Sequence, residues 1–292
     1  MLPPSFFRSG FLSRFLVAAA GLGITASASH AVLIGYDGFS SSNYTAGALN
    51  PQNPTIAGFS GAWNHDTNIY AGGSGSALTY AGVASDNTGG AFSNSVGGRS
   101  GRILSPILGG NGVSGTHVYY ISLMMNDAVI NVANYRAFEL DSQFGNRNFQ
   151  LGSAADTGFT NWGMRVTTNS STYLTADSGV AAVANSTVFA VIKLTYSDVV
   201  VGDSVQLWIN PTNLGSESLS TNSVSLTGFD FLHNSAGDFQ FASFAGSGAS
   251  SWDELRIGTA WSDVTTVPEP ATWALLALGL TSVVIFRRRQ RA

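Results

Sequence analysis

The run Val188-Phe189-Ala190-Val191-Ile192-Lys193-Leu194-Thr195-Tyr196 decides the fold class. Val188, Ala190, Ile192, Leu194 and Tyr196 fall on one side of an extended chain, and Phe189, Val191, Lys193 and Thr195 on the other. Gly202-Asp203 supplies a turn, and Val205 to Asn210 then alternates again, Val205, Leu207 and Ile209 opposing Gln206, Trp208 and Asn210. Pro211 stops that run, because it brings no backbone donor to a ladder. Residues 188–196 and 205–210 therefore read as an antiparallel hairpin pair.

Working outward, the same signal recurs. His117–Met125, Phe138–Leu140, Asn148–Leu151, Trp162–Val166, Val224–Leu226, Phe239–Phe244 and Trp252–Ile257 read as further strands, separated by Gly, Asn and Ser clusters. Apolar spacing of helical period is hard to find between them. Many short strands without helical crossovers predict an all-β, antiparallel sandwich or barrel. Gly-rich stretches at 71–75, 89–90, 97–98 and 109–115 mark long polar loops in the first third. The interleaved Trp63, Tyr70, Tyr80 and Phe92 favour ordered loops there, since disordered segments are poor in aromatics.

The two ends read differently. Arg8 and Arg14, the apolar Phe15–Ile24 and the small residues Ser29-His30-Ala31 form a secretory signal peptide over 1–31, a signal helix cut after Ala31, with Ala28 as the alternative. Ten apolar residues are too few to remain as a spanning anchor. At the other end, Pro268-Glu269-Pro270 precedes the uncharged, apolar Ala271–Phe286 and the cluster Arg287, Arg288, Arg289 and Arg291. As a helix this span is about 24 Å long, a little under the roughly 30 Å of a hydrocarbon core. Trp273 at one interface and snorkelling arginines at the other complete a transmembrane helix over about 271–286. The positive-inside rule leaves the arginines as a cytoplasmic stop and the rest of the chain outside. A single domain over 32–264 lies between signal peptide and tail, the tail taking 265–292.

Without those ends, residues 32–267 hold seven basic residues against sixteen acidic ones, a net charge of −9. Lys193 is their single lysine, and no cationic stripe is present to neutralise phosphates, which excludes a nucleic-acid partner. The chain has no cysteine, so disulfides, thiolate metal sites and a cysteine nucleophile are excluded.

The Pro268-Glu269-Pro270, apolar helix and arginine cassette resembles the PEP-CTERM sorting signal of Gram-negative bacteria. That resemblance implies export through the Sec translocon, transient residence in the inner membrane and cleavage by an exosortase near the motif. Delivery to the cell surface or exopolysaccharide matrix follows, while an uncut tail would leave an ordinary membrane anchor. The interior resembles the exported PEP-CTERM proteins with a concanavalin-A-like, laminin-G-like jelly-roll domain. The residues that carry this are Tyr36-Asp37-Gly38-Phe39, Gly58 to Trp63, Gly98 to Leu104, Val118 to Met125, Leu207 to Pro211 and Trp252 to Thr259. The resemblance implies the sandwich but no activity, because this fold serves lectins, glycosidases and structural modules alike.

Candidate chemistry is sparse. Glycosidases on this fold set carboxylates at alternate positions of one strand face. Asp253 and Glu254 are adjacent instead, so Asp253 is expected beside Leu255 and Ile257, and Glu254 in a surface ion pair with Arg256. The E-x-D-x-E spacing of a laminarinase-like enzyme is absent, which argues against catalysis. His65, His117 and His233 are widely separated and carry no motif. Calcium would suit loop oxygens, with Asp86, Asn87, Asp127 and Asp156 in or beside loops. A glycan would need solvent-facing aromatics, for which Trp63, Tyr70, Trp162 and Trp208 are available; Trp63 and Trp208 are the chosen contacts. The sequence thus predicts a non-catalytic surface or matrix protein with weak polysaccharide binding, against the alternative of a glycan hydrolase or lyase on the same fold.

Overall fold

The computed structural model describes residues 32–265, apart from 72–76, 86–87, 94–96, 110–114, 129–134, 144–145, 155–158, 169–170, 198–200 and 232–238. The signal peptide with Ala31, the motif Pro268, Glu269 and Pro270, the 271–286 span and the terminal arginines lie outside the described residues. Among the described residues no helix is long and apolar enough to cross a membrane.

The chain forms β1 Leu33–Asp37, β2 Gly47–Ala48, β3 Phe59–His65, β4 Ile69–Ala71, β5 Ala91–Ser93 and β6 Gly98–Leu108. There follow β7 Thr116–Asp127, β8 Tyr135–Asp141, β9 Phe149–Ala154, β10 Phe159–Thr167 and β11 Tyr173–Ala181. The remaining strands are β12 Val188–Ser197, β13 Asp203–Ile209, β14 Ser223–Phe229, β15 Phe239–Gly246 and β16 Ser250–Gly258; a one-turn helix α1, Trp261–Val264, closes the described chain. Nine strands form one sheet, ordered β14-β13-β12-β7-β16-β5-β4-β2, with β1 also paired to β16. Seven form the other, ordered β11-β10-β9-β8-β15-β6-β3. Neighbouring strands pair antiparallel, and the two sheets stack as a jelly-roll sandwich.

Alternation explains the packing. Val188, Ala190, Ile192 and Leu194 enter the core between the sheets, together with Val205, Leu207 and Ile209 from β13. The facing sheet contributes Phe138, Leu140, Phe149, Leu151, Met164, Val166 and Phe244. The opposite faces of β12 and β13 are apolar as well: Phe189, Val191 and Trp208 join Tyr120, Met124, Leu78, Val83, Trp261 and Val264 in a second cluster. The outer side of the nine-stranded sheet is thus covered by the 77–85 segment and by α1. That covering explains an apolar residue at nearly every position of β12, since a strand buried on both faces loses its polar alternation.

The first third is not a run of loops. Trp63 lies in β3, Tyr70 in β4 and Phe92 in β5, and Gly98 opens the eleven-residue β6. β6 escapes an apolar pattern because Ser100 and Arg102 occupy inward positions. The buried Arg102 donates from Nε to Gly61 O at 3.0 Å, and its guanidinium lies 5.7 Å from the Phe59 ring centroid.

Candidate functional site: the outer face of the seven-stranded sheet

β8 is the middle strand of the seven. Phe138 and Leu140 point into the core, so Glu139 and Asp141 both face outward, two residues apart on one face. The strand rise puts their Cα atoms about 7 Å apart. The register carries a row across the sheet through Thr175, Arg165, Gln150, Glu139, Ser243, Gly101 and Asn64.

Glu139 is fully buried and held from several sides. Arg99 Nε lies 2.6 Å from Oε2, and Arg99 Nη2 donates to Oε1 at 2.9 Å. Gln150 Nε2 donates to Oε1 at 2.6 Å, and Arg147 Nε stands 3.8 Å away. Burial pushes the Glu139 carboxyl up to about 7, aided by repulsion from Asp141 and opposed by Arg99 and Gln150. Asp141 accepts from Arg147 N at 2.8 Å and from Ser243 Oγ at 3.1 Å. Beside this network opens a notch of about 260 Å3, lined by Asp66, Arg99, Arg147, Ser247 and neighbouring glycines. At the far edge the Tyr173 ring, 62% exposed, carries the Arg165 guanidinium 4.5 Å from its centroid.

The sequence reading missed this pair. Glu139-Leu140-Asp141 contains the first two acids of the E-x-D-x-E pattern, with Gln143 in place of the third. Two acids at alternate positions inside an expected strand were the available signal.

The residues singled out from sequence go elsewhere. Trp63 and Trp208 are 1% and 2% exposed, so neither ring offers a face to a sugar. Trp63 packs against Phe244 in the main core and donates from Nε1 to Tyr44 Oη at 2.9 Å. Trp208 meets Trp261 edge-on at 5.0 Å in the outer cluster. Trp162 is buried, and Tyr70 stacks on Phe92 at 5.4 Å.

The expected surface pair Glu254–Arg256 is buried instead. Arg256 Nη2 donates to Glu254 Oε2 at 2.7 Å and Tyr36 Oη to Oε1 at 3.2 Å, while the Arg256 guanidinium covers the Tyr36 ring at 5.3 Å. Asp253 does not share a face with Leu255 and Ile257 either. Glu254 adopts φ 53, and the β16–β7 register shifts between Asp253 and Arg256. Such a bulge resets the alternation, leaving Asp253 to accept from Leu78 N at 2.8 Å while Leu255 and Ile257 enter the core.

Asp127 is also buried. It accepts from Ser153 Oγ and stands 3.9 Å from Arg136 Nη1, a cationic neighbour that does not suit a calcium ligand. Asp86, Asn87, Asp156 and His233 lie outside the described residues. His65 is exposed at the end of β3, and His117 stacks on Tyr119. Among the described residues no three His, Cys, Asp or Glu side chains group as metal ligands.

Residues 266–290 match the PEP-CTERM protein-sorting motif, which begins directly after the last described residue, Thr265. The motif makes this an exported, sorted protein that passes through a membrane and is processed by an exosortase on the way. No curated protein sequence matches the chain. Among solved structures, the chain is similar to domain 4 of AbnA, a GH43 extracellular arabinanase from Geobacillus stearothermophilus in complex with arabinotriose. The identity there is 19% and the TM-score 0.44, covering 82% of this chain and 99% of that one. The T. cruzi calreticulin globular domain gives 10% and 0.45, over 88% and 100% of the two chains. The GH131 beta-glucanase catalytic domain from Podospora anserina gives 12% and 0.40, over 79% and 99%.

Proposed function

We propose that the exported sandwich is a non-catalytic surface or matrix protein that holds polysaccharide weakly on the outer face of its seven-stranded sheet. The observation that carries this reading is the contrast on that face between locked carboxylates and an open aromatic edge. Glu139 and Asp141 are both fully buried and occupied by Arg99, Gln150, Ser243 and the Arg147 backbone. With no exposed surface, neither carboxylate meets a glycosidic oxygen as the face stands. Tyr173 presents its ring beside Arg165, the apolar plane and charged donor that suit a sugar face and its hydroxyls. The acidic surface and the sorting motif fit a life among extracellular polymers rather than nucleic acids.

The test is co-sedimentation of the released protein with insoluble exopolysaccharide from its host. Retention is expected, and Tyr173→Ala should lower it several-fold; a protein that stays wholly in the supernatant would sink the reading.

A second reading rests on one observation. Glu139 and Asp141 alternate on one strand face, and the Glu139 carboxyl is pushed up to about 7, where a general acid works. Release of new reducing ends from the same polysaccharide, abolished by Glu139→Gln, would establish a hydrolase; intact polymer supports the binding role.

A further inference from the structure

The sorting tail leaves the sandwich from a clamped root. α1 lies on the outer side of the nine-stranded sheet, where Ser122 Oγ donates to Val264 O at 2.6 Å. Trp261 Nε1 and Thr265 Oγ1 both donate to Leu214 O at 2.8 Å. The Trp261 ring is sandwiched against Trp208 and Tyr120 at 5.0 and 6.5 Å. Thr265 is therefore fixed over that sheet, and the chain beyond it starts from one known face.

The tether is short. Thr265 is six residues from Ala271, where the apolar span begins, and six residues reach at most about 21 Å when fully extended. A domain of this length has a radius of gyration of about 18 Å, hence roughly 45 Å across. To bring the seven-stranded sheet's outer face to the bilayer, the tail would have to run to a sheet edge and cross two layers set about 10 Å apart, before the side chains beyond them. Twenty-odd ångströms do not cover that path. The root's own face is the one within reach.

That face carries an apolar residue with no place in either core. The 3-10 turn Glu217–Leu219 is pinned to the sheet by Tyr120 Oη and Lys193 Nζ, which donate to Glu217 at 2.5 and 2.7 Å. The turn leaves Leu219 66% exposed. We propose that, until the tail is cut, the sandwich lies with the outer face of its nine-stranded sheet on the lipid surface. Leu219 then meets the headgroup region, and the Glu139–Arg99 face points away from the membrane. The proposal rests on 271–286 spanning the bilayer. The net charge of −9 opposes binding to anionic lipid, so the tether imposes the contact and cleavage ends it. The unprocessed protein would display its polar sheet outward while its future site of release stays at the membrane.

The absence of cysteine makes single-site labelling clean. Full-length Leu219→Cys and Thr175→Cys variants, each carrying a fluorophore on the new thiol, are reconstituted in phosphatidylethanolamine/phosphatidylglycerol vesicles doped with headgroup nitroxide. Vesicle flotation reports on the span itself, separately from the orientation. Quenching at position 219 is expected to exceed that at 175 several-fold. Inserting about twenty Gly/Ser residues between Thr265 and Thr266, a flexible coil far longer than the native link, should abolish the difference. Equal quenching without the insert, stronger quenching at 175, or a difference that survives the insert would overturn the proposal, as would failure to float.

Discussion

Arg99 and Glu139 are joined across a strand that belongs to neither. Arg99 sits on β6 and Glu139 on β8, with β15 running between them, and the guanidinium reaches over Ala245 and Ser243 to hold both carboxylate oxygens. The bridge ties three strands at the centre of the sheet.

This relationship makes stability depend on pH. The Glu139 carboxyl is raised to about 7 in the fold from 4.5, so the native state binds the proton more tightly than the unfolded chain does. Its contribution is fully present below the unfolded value and is lost as pH rises through about 7. Asp127, raised mainly by burial, acts in the same direction. Thermal melts should show Tm falling between pH 5 and pH 8, and Glu139→Gln should flatten that fall. An unchanged slope in the variant would remove Glu139 as its source.

Glu254 and Arg256 form a buried pair, and removing one partner strands the other. Glu254→Ala should cost about 3–5 kcal/mol in urea unfolding. The double variant Glu254→Ala/Arg256→Ala should lose less than the sum of the two single changes. Additive losses would mean that the pair is not coupled.

The α1 clamp is held chiefly by one aromatic ring. Trp261→Ala empties a buried site against Trp208 and Tyr120 and frees the Leu214 carbonyl from one donor. A loss of about 3–5 kcal/mol in denaturant unfolding is expected. Proteolysis should then cut first near Ala260; a cut pattern identical to the unaltered protein would contradict the clamp.

Gly58, in the turn before β3, marks the point where that turn meets β1 backbone to backbone. Its φ is +84, and a Cβ there would stand 2.3 Å from Gly35 Cα and 2.5 Å from Ile34 O, both backbone atoms. Nothing flexible can yield. Gly58→Ala should cost more than the roughly 1 kcal/mol of an ordinary left-handed alanine, read as a lowered urea midpoint. A midpoint within error of the unaltered protein would mean β1 can move aside.

The sequence reading succeeded where alternation was undisturbed. The 188–196 and 205–210 hairpin forms as expected, with Ala190 opposite Ile209 and Leu194 opposite Val205. It failed where polar residues turn inward, as Arg102 and Ser100 do in β6, and where Glu254 breaks the phase of β16. Trp63 and Trp208 looked like sugar platforms because periodicity separates two faces without saying what covers the second one. For Trp208 the cover is α1 and the 77–85 segment, remote in sequence. Glu139 and Asp141 sat in plain alternation around Leu140, but the Arg99 that holds Glu139 lies forty residues away across two strand boundaries. No local pattern encodes that meeting.

The pairing of β1 with β16 bears on the order of events during export. Leu33 lies opposite Gly258, and Tyr36 opposite Arg256, so the first strand to emerge has its slot beside the last. Val32 and Thr259 add a pair of hydrogen bonds at the same junction. A chain delivered N-terminus first must hold β1 unpartnered until nearly all of the domain has crossed. A partly delivered chain therefore lacks the strand that β1 pairs with, and the body is complete only once the segment leading into the sorting motif has followed.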